Sequence, residues 1–253
     1  LHDRTGNGLL NTTQFAGCYA YQLLISREWT LNFGVKAAIV QKNFNWTNAQ
    51  WGDQIDPSQG FTFNTNQPQG ANANYLDFSN GFVLFGKKLF FGAAFNHLTR
   101  PNETFFYNLS SSNSIDKIPI RSSFHGGYKI KVLKNGLFHK ELFVTPEFVV
   151  DFQSNLKRYN FGTYFMDGIF DLGLWYRHTR LLDSNNGATA PQDALVIVAG
   201  VETNNVRIGY SYDFNLSRLV VSAIGAHELS FTMDIPSKKP HDSKFRVMNC
   251  PQF

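Results

Sequence analysis

Apolar and polar side chains alternate along most of this chain. Val206, Ile208, Tyr210, Tyr212 and Phe214 are separated by Arg207, Gly209, Ser211 and Asp213. Leu229, Phe231, Met233 and Ile235 interleave with Glu228, Ser230, Thr232 and Asp234. Successive side chains of a strand point to opposite faces, so each run carries one apolar and one polar face. A helix would mix the two sets around its circumference. Phe170, Leu172, Leu174 and Tyr176 stand in the same way against Asp171, Gly173, Trp175 and Arg177. Trp29, Leu31, Phe33, Val35, Ala37 and Ile39 alternate with Thr30, Asn32, Gly34, Lys36 and Ala38. Two more such runs put Ile120, Phe124, Tyr128, Ile130 and Val132 opposite Arg121, Ser123, His125, Gly127, Lys129 and Lys131, and Leu142, Val144, Pro146, Phe148, Val150 and Phe152 opposite Thr145, Glu147 and Asp151. Weaker alternation covers 13–25, 75–86, 89–98, 156–166 and 193–202. The pattern predicts eleven strands.

The connections alternate in length. Tight turns fall near Ser26-Arg27-Glu28, Lys87-Lys88, Asp167-Gly168 and Asn204-Asn205, with a longer one through Lys134-Asn135-Gly136. Long polar loops fall at 41–74, 99–118, 179–192 and 215–226, with a short exception near Ser154. In an up-and-down sheet all the long loops lie at one end and the tight turns at the other. Membrane barrels show this asymmetry, with long loops outside and short turns in the periplasm. The predicted fold is all-β: a transmembrane antiparallel up-and-down β-barrel over residues 1–235. A basic, non-alternating tail over 236–253 falls on the periplasmic side. Asp3 to Gly8 reads as an outer loop. Eleven strands cannot close with both ends in the periplasm, so the expectation is that N-terminal strands, three of them for a total of about 14, lie outside this chain.

Composition decides which way the faces point. Aromatic residues make up 15% of the chain and charged residues 17%, while mean hydropathy is −0.25. Too many large rings occupy the apolar face for the inside of a small barrel, and glycine recurs on the polar face. Trp29, Tyr75, Tyr159 and Tyr176 gather near strand ends, as interfacial girdles do. The apolar face therefore points to lipid. No run approaches the roughly 20 consecutive apolar residues of a membrane helix. The net charge of +4 is scattered outside the tail, so nucleic acid is not an expected partner.

The polar face carries Lys36, Arg121, Lys129, Lys131, Arg177 and Arg207 against Glu147, Asp151, Asp171, Asp213, Glu228 and Asp234. Charges away from water must be paired, so a crowded, ion-paired interior is expected. The alternative is a water-filled channel for a small solute or a hydrophobic ligand. The seven histidines show no metal-ligand spacing, and no nucleophile elbow or phosphate loop occurs, so neither an enzyme nor a cofactor is expected. Cys18 and Cys250 read as unpaired thiols. Trp46, Trp51, Phe61 and Phe63 punctuate the long polar loop. They either anchor a protein partner or fold over the barrel mouth. Lys238, Lys239, Cys250 and Phe253 of the tail are further candidate partner contacts.

Several stretches are specific enough to compare with a family. Ala199-Gly200-Val201-Glu202, the run Val206 to Ser217, Gly225-Ala226-His227-Glu228-Leu229-Ser230 and the terminal Cys250-Pro251-Gln252-Phe253 resemble the PorP/SprF family. So do Gly8 to Thr13, His97 to Glu103 and Gly173-Leu174-Trp175-Tyr176-Arg177. The resemblance implies an outer-membrane protein of the type IX secretion system of Bacteroidota, linked to gliding motility. It implies partners among secretion-system proteins and a secreted cargo, such as a gliding adhesin, or its C-terminal domain, in contact with outer-membrane lipids. It implies no catalytic residues, and it implies early strands and a signal peptide upstream.

Overall fold

The computed structural model describes residues 1–6, 8–67, 70, 72–105, 117–134, 141–183, 187–188, 192–203, 205–216 and 225–233. Among them there is no α-helix. The strands are β1 (His2–Thr5), β2 (Leu10–Leu24), β3 (Thr30–Phe44), β4 (Ile55–Asp56), β5 (Gly60–Phe61), β6 (Ala73–Phe85), β7 (Leu89–Asn96) and β8 (Arg121–Tyr128). They continue as β9 (Ile130–Leu133), β10 (Leu142–Gln153), β11 (Leu156–Asp167), β12 (Phe170–Asp183), β13 (Gly187–Ala188), β14 (Gln192–Thr203), β15 (Val206–Asn215) and β16 (Ala226–Met233). One 14-stranded sheet follows the path β1-β2-β3-β6-β7-β8-β10-β11-β12-β14-β15-β16, with β9 beside β10 and β13 beside β12. Neighbours follow chain order, and every pair whose register is described is antiparallel. β4 and β5 form a separate ribbon.

All eleven alternating runs are strands, but the sheet holds more than eleven. Asp3 to Thr5 belong to β1 rather than to a loop, paired with Leu10–Thr13 of β2. The path therefore counts twelve strands. Three other expectations shift. β12 runs on through Thr179 to Asp183 into the expected loop. The long loop after β3 contains β4, β5 and a 3-10 turn at Gly52–Gln54. The run from 120 to 132 is interrupted at Lys129, although β8 and β9 share one register against β10. That register sets Tyr128 opposite Pro146. The Lys129 amide donates to the Lys88 carbonyl at 2.7 Å. Asp234, Ile235 and the tail lie outside the described residues.

Two compact units divide the chain. The first comprises Leu1–Tyr19, Gly34–Asn80 and Asn96–Ile120; the second comprises Ala20–Phe33, Gly81–Phe95 and the described residues from Arg121 onward. In the first unit the Asn45 amide, just after β3, donates to the Leu9 carbonyl at 2.7 Å, and in the connection after β7 the Ile118 amide donates to the Pro101 carbonyl at 2.9 Å. In the second unit the ladder from β8 through β10, β11, β12, β14 and β15 to β16 is continuous.

Burial runs opposite to a water-soluble protein. Leu229 is 77% exposed and Phe231 65%, and Phe161, Leu172, Leu174, Ile208 and Tyr210 are all exposed. Thr145 is 0% exposed and Asp151 7%. The same parity holds in the first unit, where Val35, Ile39, Leu76 and Phe78 are exposed and Asp77 and Ser79 are buried. Large apolar side chains are normally the most buried and aspartate the least. Exposed apolar side chains alternating with buried polar ones are the pattern expected of strands that face lipid on one side.

Candidate functional site

The polar face of the second unit carries ion pairs and, beside them, glycines covered by rings. Register places Asp151 opposite Ser123 on β8 and Arg158 on β11. Arg121 donates to Asp151 Oδ1 from Nη2 at 3.0 Å and from Nε at 3.3 Å, and the Ser123 hydroxyl donates to the same oxygen. Arg177 donates from Nη1 to Asp213 Oδ2 at 2.6 Å and from Nε to Asn160 Oδ1 at 3.2 Å. Arg207 pairs with Glu202 at 2.6 Å, directly across the β14–β15 hairpin. Glu202 is an acid that the alternation did not single out.

The remaining polar-face residues are placed differently. Lys129 stands over the Phe143 ring, 4.9 Å from its centroid, a cation–π arrangement. Lys131 pairs with Glu141. Glu147 lies half-buried between Gly127 and Gly162, which register sets on either side of it. No ion pair joins Lys36, Glu147, Asp171 or Glu228 to another described residue.

Glycines on this face make room for flat rings. Gly162 pairs with Trp175 and Gly173 with Tyr164, and a Cβ on either glycine would collide with its partner's ring. The two rings meet edge to face, 5.7 Å between centroids. His125 lies over Gly92 and Phe90 over Gly127 in the same way.

In the first unit, the long-loop end of the strands is a second constellation. Trp46 stacks on Trp51 at 6.1 Å, and Phe44 meets Trp46 at 4.6 Å and Phe105 at 6.2 Å. Lys42 pairs with Glu103 beside them. Trp46 and Trp51 therefore pack within the loop. Ile55 and Phe61, by contrast, are exposed on the β4–β5 ribbon, and Phe63 is exposed in the bend that follows it. The His97 turn is tied down by His97 Nδ1 against Asp77 Oδ2 at 2.9 Å and by the Leu98 amide donating to Phe78 at 2.9 Å. Lys238, Lys239, Cys250 and Phe253 lie outside the described residues.

Histidines elsewhere sit in pairs rather than clusters. His178 Nδ1 meets Asp193 at 2.6 Å, and His227 Nδ1 meets the Tyr210 hydroxyl at 2.7 Å. Among the described residues no group of three or more His, Cys, Asp or Glu is placed to hold a metal ion. Cys18 is exposed with a free thiol.

A family model described as type IX secretion system membrane protein PorP/SprF matches residues 1–233. No curated protein matches the chain.

Proposed function

The chain belongs to the PorP/SprF family of type IX secretion system membrane proteins, and from that premise we propose that it is an outer-membrane β-barrel that binds protein partners to bring specific cargo to the cell surface or hold it there. The observation that carries the reading is the inverted burial: rings outward, charges inward. Each large apolar side chain gains about 1.5–3 kcal/mol by leaving water. A wall of them is stable in hydrocarbon and adhesive in water.

The barrel itself is part of the proposal. Edge strands cannot stand in lipid, because each unsatisfied backbone group costs several kcal/mol there. Every pair whose register is described is antiparallel, as an up-and-down barrel requires. The long-loop end faces outward and the tight-turn end, with the C-terminal tail, faces the periplasm. Work is done by binding rather than by making or breaking bonds. The polar face supports this, since Arg121–Asp151, Arg177–Asp213 and Arg207–Glu202 cross-brace it and favour a stiff scaffold over an open pore.

Deleting the protein from a cell that secretes through this system, and profiling surface and culture-fluid proteins by mass spectrometry, tests the reading. Selective loss of one or a few cargo proteins from the surface is expected. Unchanged secretion overturns it.

A further inference from the structure

The ribbon on the long loop is a sheet of its own, and hydrogen bonds fasten it on several sides. The Thr62 and Phe63 amides both donate to the Gln54 carbonyl, at 3.0 and 3.2 Å. Gln54 Oε1 accepts the Trp51 amide at 2.8 Å, tying the ribbon to the aromatic cluster. Asp53 Oδ2 accepts the Asn66 amide at 2.8 Å and the Thr65 hydroxyl at 3.1 Å. Asp56 Oδ1 accepts the Ser58 hydroxyl and amide, both at 2.7 Å, and the Gln59 amide at 3.1 Å. Gly60 completes the turn at φ +77°, a conformation that glycine adopts without strain.

What this frame displays is apolar. Ile55 and Phe61 are register partners and so share a face, and Phe63 follows in the bend after β5. The three side chains are 50%, 52% and 52% exposed. Asp53 and Asp56 are the only charged residues between Lys42 and Asp77. Their hydrogen-bond acceptors are used within the loop, but their charge is not neutralised. The knuckle is therefore apolar between two anionic positions, Asp56 at its turn and Asp53 at its foot. An anionic lipid surface would repel it, whereas a protein pocket that is apolar within and ringed by Lys or Arg complements it. A preorganised loop also spares a binding partner the entropy of ordering it.

We infer that Ile55, Phe61 and Phe63 form a docking knuckle for a partner protein bearing an apolar pocket with a basic rim. The inference rests on the partner-binding function proposed above and names the surface and the chemistry it takes. The test uses the full protein in its own cells, with the photoreactive p-benzoylphenylalanine placed at Phe61 and, as a control, at Asn155. Irradiation should attach Phe61 to a protein at apolar residues flanked by Lys or Arg. The yield should fall severalfold in an Asp53→Asn/Asp56→Asn background, and Asn155 should give no such product. Attachment to lipid alone, no attachment, or a yield indifferent to the two aspartates overturns the inference. A Phe61→Ser/Phe63→Ser variant separates the two levels of the argument, its folding checked by the heat-dependent shift in gel mobility. Normal secretion by that folded variant, where deletion of the protein blocks secretion, removes the knuckle and leaves the proposed function standing. Normal secretion after deletion removes both.

Discussion

Arg177 on β12 reaches across β14 to Asp213 on β15, its Nη1 2.6 Å from the carboxylate. The residue of β14 opposite Arg177 is the small, buried Ala194. Three strands are thereby braced by one ion pair, with Asn160 on β11 holding the guanidinium from behind. Arg177 is part-exposed, so the pair is worth less than a fully buried one. Removing one partner nevertheless leaves a charge stranded on a crowded face. Arg177→Met should lower stability by about 1–3 kcal/mol. Arg177→Met combined with Asp213→Asn should cost less than the two single changes added together. Urea midpoints of the protein refolded in lipid vesicles measure both.

Gly162 is a contact requirement rather than a turn. Its Cα hydrogen is what the Trp175 indole lies upon. Gly162→Ala should destabilise by about 1–3 kcal/mol, the usual range for overpacking. In a Trp175→Ala background the same substitution should cost much less, since the colliding atoms are gone. A simple additive result in the same unfolding measurement would contradict the proposed contact.

The two faces should answer differently to a larger polar side chain. Leu174 lies in mid-strand on the exposed apolar face. Leu174→Arg should cost about 2–4 kcal/mol, the penalty for an arginine on the lipid face at mid-depth. Ser211, on the polar face of β15, should tolerate Ser211→Asn within about 1 kcal/mol. Equal costs at the two positions would remove the assignment of faces.

Asp56 gives the ribbon a pH dependence. Hydrogen bonds from the Ser58 side chain, then from the Ser58 amide, hold its carboxyl below the ordinary aspartate range. A carboxylate depressed in the folded state stabilises fully above its unfolded value, near 3.9, and stops doing so as pH falls through the folded one. The turn at Asp56–Gln59 should therefore stay closed from neutral pH down to about pH 4 and loosen only below that. At neutral pH Asp56→Ala should expose the ribbon to proteolytic nicking while the sheet stays intact. Limited digestion followed by mass spectrometry reads this directly.

Parity made the sheet legible and left the pairings hidden. Alternation at Leu172, Leu174 and Tyr176 states which residues share a face, because strand geometry has a period of two. It does not state that Arg177 will find Asp213, 36 residues away, since that depends on β14 lying between them. Glu202 and Arg207 could have been found, because the tight turn between β14 and β15 sets them opposite each other. β1 gives almost no sequence signal. His2-Asp3-Arg4-Thr5 has no apolar face, and only the ladder to β2 makes it a strand. The interruption at Lys129 likewise gives no sequence signal, its amide being taken by the Lys88 carbonyl. The Ile55, Phe61 and Phe63 knuckle was half visible. Its phenylalanines stood out in a polar loop, but Ile55 joins them only once the ribbon has formed.

The rings resting on Gly162 and Gly173 have a consequence for how the strands find their alignment. A slip of one residue would turn every side chain to the wrong face and is forbidden by hydrophobicity alone. A slip of two keeps all faces correct, and greasy-versus-polar patterning is blind to it. Such a slip between β11 and β12 would carry Trp175 off its bare glycine and onto Asn160 or Tyr164. The interlocked ring and notch thus act as a key that admits a single alignment, selecting among sheets that lipid could not tell apart.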